Sequence, residues 1–145
     1  MTTTREITAG HIDVGDARLR YWERGRGETV LLVHAGVFGD WFAPVFAEPA
    51  LDDVHLVRVH RSGYGDSSVP EGHRTLADHA RQCAQLLRTL GVDRAYWVGH
   101  SSGGSISMQA ALDVPELVAG LILLEPAPSP AGPRPSSCVS RSSVR

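Results

Sequence analysis

Short apolar runs alternate with helical patterns along the first 125 residues. The run TVLLVH at 29–34 is almost continuously apolar, which is typical of a strand covered on both faces in a parallel sheet. A less regular alternation on either side of the Gly15-Asp16 turn predicts a β-hairpin. The predicted strands cover residues 7–14, 17–23, 29–34, 54–60 and 95–99, with a further one inside 117–124.

Two helices are predicted between these strands. Thr75 with Asp78 three residues later forms the pattern of a capping box, and apolar residues then recur at helical spacing as far as Gly91. Cys83 lies on that apolar face and is expected to be a core residue rather than a reactive thiol. The second helix begins after Gly103 and ends at Pro115, and a short helix is expected over 41–47.

Alternating strands and helices predict the fold class. Such βαβ units form a mostly parallel sheet with flanking helices, an α/β architecture. The functional site of such a sheet lies at the carboxyl ends of its strands.

Composition then narrows the choice of partners. The chain has 145 residues, is 42% hydrophobic and carries a net charge of -2, which argues against nucleic acid as the main partner. Two cysteines cannot build a disulfide framework, and the longest apolar stretch, at 117–124, has about eight residues against the roughly 20 of a membrane span. His73 and His79 are six residues apart, a spacing that does not place two side chains on one helical face to share a metal ion. We therefore expect a cytoplasmic protein with no membrane partner and no metal, and its oligomeric state stays open.

A break in composition occurs near Glu125. Every acidic residue lies at or before Glu125, whereas residues 126–145 contain five of the nine prolines, six serines and three arginines. The latter segment has no apolar periodicity. We therefore predict a partial domain over 1–125 and a disordered tail over 126–145.

The most informative motif is Gly99-His100-Ser101-Ser102-Gly103, which fits G-x-S-x-G. It lies between a predicted strand and a predicted helix, the context of a sharp turn that exposes a nucleophilic serine. Glycines are needed there because the strained turn leaves no room for a Cβ, and the helix N-terminus favours developing negative charge. A Gly-Ser linker is the alternative, which the strand and helix on either side disfavour.

With this motif and three further segments, the sequence resembles the α/β-hydrolase family over roughly residues 6–127. His34-Ala35-Gly36 looks like the family's oxyanion loop, with Ala35 in place of the more usual glycine. The segment at 61–67 resembles its R-G-x-G-x-S turn, and LILLEP at 121–126 looks like the strand that follows the elbow helix. The resemblance therefore implies an α/β-hydrolase fold, truncated after about six strands.

The resemblance also implies roles. Ser101 would be the nucleophile, and the backbone N–H of Ser102 would be one oxyanion donor, with Gly36 as the second and Val37 as its substitute. The reaction would be hydrolysis of a small ester, amide or lactone through an acyl-enzyme, without a cofactor. A serine at this position argues against the branches with an aspartate nucleophile, such as haloalkane dehalogenases and most epoxide hydrolases. Three aromatic residues either line the acyl pocket or simply pack: Phe38, Trp41 and Tyr64.

The family's catalytic triad also needs an acid and a histidine as base, and these two residues are harder to place in this sequence. In this family the acid and then the histidine follow the nucleophile, yet none of the seven histidines follows Ser101. Glu125 is the only acidic candidate after the elbow helix, and it is either the catalytic acid or a pocket residue. Three upstream histidines near strand ends are expected to be structural rather than substitutes for the base: His34, His60 and His100.

These observations leave alternatives to an active hydrolase. One is a catalytically inactive, truncated hydrolase fragment without the triad histidine, its tail produced by a shifted reading frame. Another is a partner chain that completes the sheet and supplies the histidine. In a truncated sheet the strand within 117–124 becomes an exposed edge.

Overall fold

A computed structural model of the chain describes residues 5–127, which form six strands and two helices. The strands are β1 Thr8–Val14, β2 Ala17–Arg24, β3 Thr29–Val33, β4 His55–Val59, β5 Ala95–His100 and β6 Val118–Leu124. The helices are α1 Leu76–Thr89 and α2 Ser102–Asp113. All six predicted strands and both long helices are confirmed, with small differences at their ends. The short helix expected over 41–47 is instead a 3₁₀ turn at Ala43–Ala47, where Pro44 stands near its start.

The strands form one mostly parallel sheet in the order β1-β2-β4-β3-β5-β6. β1 and β2 pair antiparallel to their neighbours, whereas β4, β3, β5 and β6 run parallel. In this register Val33 lies beside both Val59 and Gly99. The residues that follow β3, β4 and β5 therefore meet at one edge, and this edge carries the candidate site.

Apolar side chains cover both faces of the sheet. Helices α1 and α2 pack together on one face, where the core includes Trp97, Leu87 and Ile106. The fully buried Trp97 donates its indole N–H to the carbonyl of Leu117 at 3.3 Å, which satisfies its one polar atom. Phe42 and a smaller apolar cluster cover the opposite face.

Cys83 lies on the buried face of α1 and belongs to the core, as predicted. Burial raises the pKa of its thiol to about 12. Because the thiolate is the reactive form, this side chain is chemically inert at neutral pH.

Strand β6 forms an edge of the sheet and pairs only with β5 among the described residues, as expected. Its side chains are only partly covered, and Ile122 is 52% exposed.

No helix within residues 5–127 combines the length and the apolar character that crossing a membrane requires. Of the tail predicted over 126–145, residues 128–145 lie outside the described part of the chain.

The predicted capping box at the start of α1 is present, and it allows a stability test. Thr75 Oγ1 accepts the Asp78 N–H at 3.1 Å, and the Asp78 carboxylate accepts the Thr75 N–H at 2.9 Å. We expect Thr75→Ala to lower the free energy of unfolding by about 1 kcal/mol in urea titrations. Thr89→Ala, which removes a hydroxyl at the other end of the same helix, should cost less than about 0.5 kcal/mol. Equal losses in the two variants would contradict a specific capping role.

Candidate active site

Ser101 occupies the turn between β5 and α2 with its backbone in the left-handed region, at φ 53° and ψ −119°. Such a conformation costs a non-glycine residue on the order of 1–3 kcal/mol, so the surroundings must impose it. The end of β6 contributes two restraints. The Ser101 N–H donates to the carbonyl of Leu124 at 2.9 Å, and the Ser101 carbonyl accepts the N–H of Ala127 at 3.0 Å.

Two glycines let α2 approach the sheet closely enough to make this turn. A Cβ built on Gly99 would lie 2.3 Å from the carbonyl oxygen of Gly103. A Cβ on Gly103 would lie 2.1 Å from the carbonyl oxygen of Val33, in the neighbouring strand β3. Any larger residue at either position would push α2 away from β3 and β5, and the turn at Ser101 would open.

The two residues proposed from the sequence to supply the oxyanion donors, Gly36 and Ser102, lie next to each other. Ser102 is the first residue of α2, so its N–H has no partner within the helix. A Cβ placed on Gly36 would lie 3.3 Å from Ser102 Oγ and 3.4 Å from the hydroxyl of Tyr64. The helix N-terminus and the loop after β3 therefore meet next to Ser101, an arrangement that can stabilise a developing anion.

An open cleft of about 360 Å³ lies over Ser101. Its lining is mostly apolar and consists of Ala35, Val37, Phe38, Trp41, His100, Ser101 and Glu125. Trp41 stacks on the imidazole of His100, with ring centroids 4.8 Å apart. Of the three aromatic residues considered from the sequence, Phe38 and Trp41 line the cleft, whereas Tyr64 packs against His34 and Arg61.

His34 is buried and uses both ring nitrogens for hydrogen bonds. Its Nδ1–H donates to the carbonyl of Ala35 at 2.6 Å, while Nε2 accepts the backbone N–H of Arg61 at 3.0 Å. Burial lowers the pKa of His34 to about 4, so the imidazole is neutral at pH 7. It holds the loop after β3 against the end of β4, and neither nitrogen is free to take a proton from Ser101.

His60 connects two loops at the same edge. Its Nε2 lies 2.8 Å from Asp40 Oδ1, and its Nδ1 accepts the backbone N–H of Asp66 at 3.1 Å. The Arg58 guanidinium and His60 hold the pKa of Asp40 below its usual range. A Cβ on Gly65 would lie 2.1 Å from Nδ1 of His60, so this turn needs glycine. His60 therefore occupies a structural position.

His100 and Glu125 face each other across the mouth of the cleft. His100 Nε2 lies 3.9 Å from Glu125 Oε2, and the Glu125 side chain is 93% exposed. The Nδ1 of His100 is buried without a hydrogen-bond partner among the described residues. Within residues 5–127 no hydrogen bond links the Ser101 hydroxyl to an imidazole, and of the three upstream candidates His100 alone has an unused ring nitrogen.

The structure also shows a contact that the sequence analysis did not assign. The guanidinium of Arg61 donates to Ser102 Oγ at 3.2 Å and lies over the ring of Tyr64. The sequence marked Arg61 only as part of a turn motif, and a contact across 41 residues leaves no local signal. Within residues 5–127 no cluster of three or more His, Cys, Asp or Glu side chains could hold a metal ion.

Comparison with known proteins places these residues in a wider group. A family model described as alpha/beta hydrolase fold matches residues 28–137. The dihydrolipoyllysine-residue acetyltransferase component of the acetoin cleaving system of Cupriavidus necator is 35% identical over 117 residues, which cover 79% of this chain. Fluoroacetate dehalogenase of a Burkholderia species is 32% identical over 123 residues, or 81% of this chain.

Among solved structures, Est816, described as an N-acyl homoserine lactone degrading enzyme, superposes with a TM-score of 0.71. It is 29% identical and the match covers 79% of this chain. The matched segments make up 31% of the acetyltransferase component, 40% of the dehalogenase and 44% of Est816. The chain thus spans less than half the length of these relatives.

Two buried imidazoles should make stability depend on pH. Burial lowers the pKa of both His34 and His79 from 6.5 to about 4. Between these values the unfolded chain binds protons that the folded chain does not, so the free energy of unfolding falls as pH falls from 6.5 towards 4. The slope is at most about 1.4 kcal/mol per pH unit for each imidazole.

We expect His79→Gln to reduce this slope, and the double variant His34→Gln/His79→Gln to reduce it further. Urea titrations at several pH values between 6.5 and 5 measure it, above the range in which most carboxylates titrate. An unchanged slope in the double variant would contradict neutral burial of these side chains.

Proposed function

This chain belongs to the α/β-hydrolase fold family, and we propose that the protein hydrolyses a small ester, amide or lactone with Ser101 as its nucleophile. The observation that carries the proposal is the left-handed backbone of Ser101 at the floor of the cleft, beside the N-terminus of α2. A serine held in a strained turn at a strand end is consistent with a nucleophile elbow.

In the proposed reaction Ser101 Oγ attacks the carbonyl carbon of the substrate. The negative charge that forms on the carbonyl oxygen is stabilised by the N–H groups of Ser102 and Gly36, with Val37 as the substitute for the latter. Loss of one such donor typically reduces the rate about 10²–10³-fold. The leaving group departs with a proton, and water then hydrolyses the acyl-enzyme and restores the serine hydroxyl. The reaction needs no cofactor.

The proposed substrate class has three supports. The names of the relatives mention an acetyl group, fluoroacetate and an acyl homoserine lactone, all of which contain a carbonyl group. A hydroxyl nucleophile at position 101 suits acyl transfer, which favours ester or lactone hydrolysis over dehalogenation. The cleft is open and mostly apolar, and it offers Phe38 and Trp41 for contact with a small acyl group.

We propose that Glu125 is the acidic partner of an imidazole at this site. Its carboxylate lines the cleft and lies 3.9 Å from His100, the nearest imidazole. A carboxylate here would stabilise the imidazolium that forms when a proton leaves Ser101. Because the side chain is almost fully exposed, the contribution should be small.

A second candidate function is binding without turnover. It is favoured by the hydrogen bonds of His34 and His60, which occupy both nitrogens of each ring. A serine hydroxyl is a weak nucleophile without an adjacent base. On this candidate the described chain would bind a small carbonyl compound in the cleft without hydrolysing it.

Covalent labelling tests the nucleophile directly. We expect a fluorophosphonate probe to modify the peptide that contains Ser101, and p-nitrophenyl acetate to release about one equivalent of p-nitrophenol before a slow phase. Mass spectrometry and absorbance measure the two signals. Ser101→Ala should abolish both, whereas Ser68→Ala, at a serine outside the cleft, should leave both unchanged.

The outcomes separate the two candidate functions. Equal p-nitrophenol release by the wild-type protein and Ser101→Ala would remove Ser101 from the mechanism. Sustained turnover that depends on Ser101 would instead exclude binding without turnover.

The proposed role of Glu125 predicts a modest kinetic effect. We expect Glu125→Gln to slow the modification of Ser101 about two- to fivefold, because an exposed charge pair contributes at most about 1 kcal/mol. Glu116→Gln is the matched control, since Glu116 is also exposed and pairs with Arg88 rather than with a cleft residue. Identical rates in both variants would assign Glu125 to the cleft wall alone.

A further inference from the structure

We propose that Arg61 is a positioning residue for the oxyanion site and acts through the hydroxyl of Ser102; this inference rests on the function proposed above. Arg61 Nη2 donates to Ser102 Oγ at 3.2 Å. Ser102 supplies one of the two proposed backbone donors and begins α2. A bond that holds its side chain therefore also restrains the first turn of the helix.

The same guanidinium borders the second proposed donor. A Cβ built on Gly36 would lie 3.8 Å from Arg61 Nη2, and the hydroxyls of Ser102 and Tyr64 lie closer still. The guanidinium is itself placed over the Tyr64 ring, 4.6 Å from its centroid. Arg61 thus lies beside both residues that would supply the donors, between the start of α2 and the loop after β3.

The backbone of Arg61 is anchored to that loop as well. Its N–H donates to Nε2 of His34, whose Nδ1–H donates to the carbonyl of Ala35, directly before Gly36. Side chain and main chain of Arg61 therefore reach both sides of the oxyanion site. A shift of α2 relative to the loop would strain one set of these bonds.

The electrostatics of Arg61 are unusual for a residue that only stabilises the fold. It is 4% exposed, and it forms no ion pair with any carboxylate within residues 5–127. Arg24 is equally buried, yet it pairs with Asp52 at 3.2 Å. Burial without a counter-charge is unfavourable and lowers the pKa of the Arg61 guanidinium. A positive charge behind two N–H donors would offset that cost when an anion forms there.

A double-mutant cycle tests the pathway through Ser102. The rate constant for modification of Ser101 by a fluorophosphonate is measured by intact mass: the Oγ–P bond forms, the P–F bond breaks, and fluoride and the hydroxyl proton go to solvent. We expect Arg61→Met to lower this rate about 10- to 100-fold. Ser102→Ala keeps its N–H and should cause a smaller loss. The double variant should be no slower than Arg61→Met, since both changes break one interaction.

Two further variants separate positioning from general loss of stability. Arg24→Met removes an equally buried arginine away from the cleft, and it should leave the rate unchanged even where it lowers the thermal midpoint. Arg61→Lys should be about three- to tenfold slower than wild type, because an ammonium cannot stack on Tyr64 and donate to Ser102 with the planar geometry of a guanidinium. NMR order parameters of the Ser102 and Gly36 amides should fall in both Arg61 variants.

Each outcome decides the question. A folded Arg61→Met protein that reacts at the wild-type rate, or additive losses in the cycle, would overturn the role of Arg61 while Ser101 remains the nucleophile. If Arg61→Met does not fold, Arg61→Lys at the wild-type rate with unchanged order parameters would overturn it equally. A wild-type protein that forms no adduct at Ser101 would refute the proposed function itself and the inference with it.

Discussion

The left-handed backbone of Ser101 is the constraint on which the geometry of the site depends. A serine adopts φ 53° only when other contacts outweigh a cost on the order of 1–3 kcal/mol. Here the last residue of β6 and Ala127, just after that strand, bind the backbone N–H and carbonyl of Ser101, and Gly99 and Gly103 allow α2 to approach the sheet. Release of any one of these contacts would let the turn relax and move the serine hydroxyl relative to the cleft.

The same close approach organises the polar groups around the turn. Because α2 begins immediately after Ser101, its first N–H lies where the loop after β3 passes. Neutral His34 ties that loop to the end of β4, and His60 ties the next loop to Asp40. Both imidazoles are buried and hydrogen-bonded, and they hold backbone segments in place. Positive charge near the proposed donors comes instead from the guanidinium of Arg61.

Local signals in the sequence were sufficient to predict most of the fold. The continuous apolar run of β3 and the capping box at Thr75 depend on neighbouring residues only, and the G-x-S-x-G pattern marked the turn at Ser101. Contacts between residues that are far apart in the sequence could not be predicted from such local signals. The bond from Arg61 to Ser102 depends on the register of β3 between β4 and β5. The paths of the loops after β3 and β4, likewise, decide that Trp41 lines the cleft while Tyr64 packs against His34.

Glu125 shares the unusual backbone of Ser101, and this similarity bears on its position. Within residues 5–127 these two are the only non-glycine residues with positive φ, and Glu125 has φ 45°. The parallel register pairs His100 with Leu124, so Ser101 and Glu125 leave neighbouring strands at the same level. Two adjacent strands that end in strained turns direct a hydroxyl and a carboxylate into one cleft. Strain of this kind concentrates at functional sites, so the backbone of Glu125 is a second observation, besides its position in the cleft, that supports the role proposed for it.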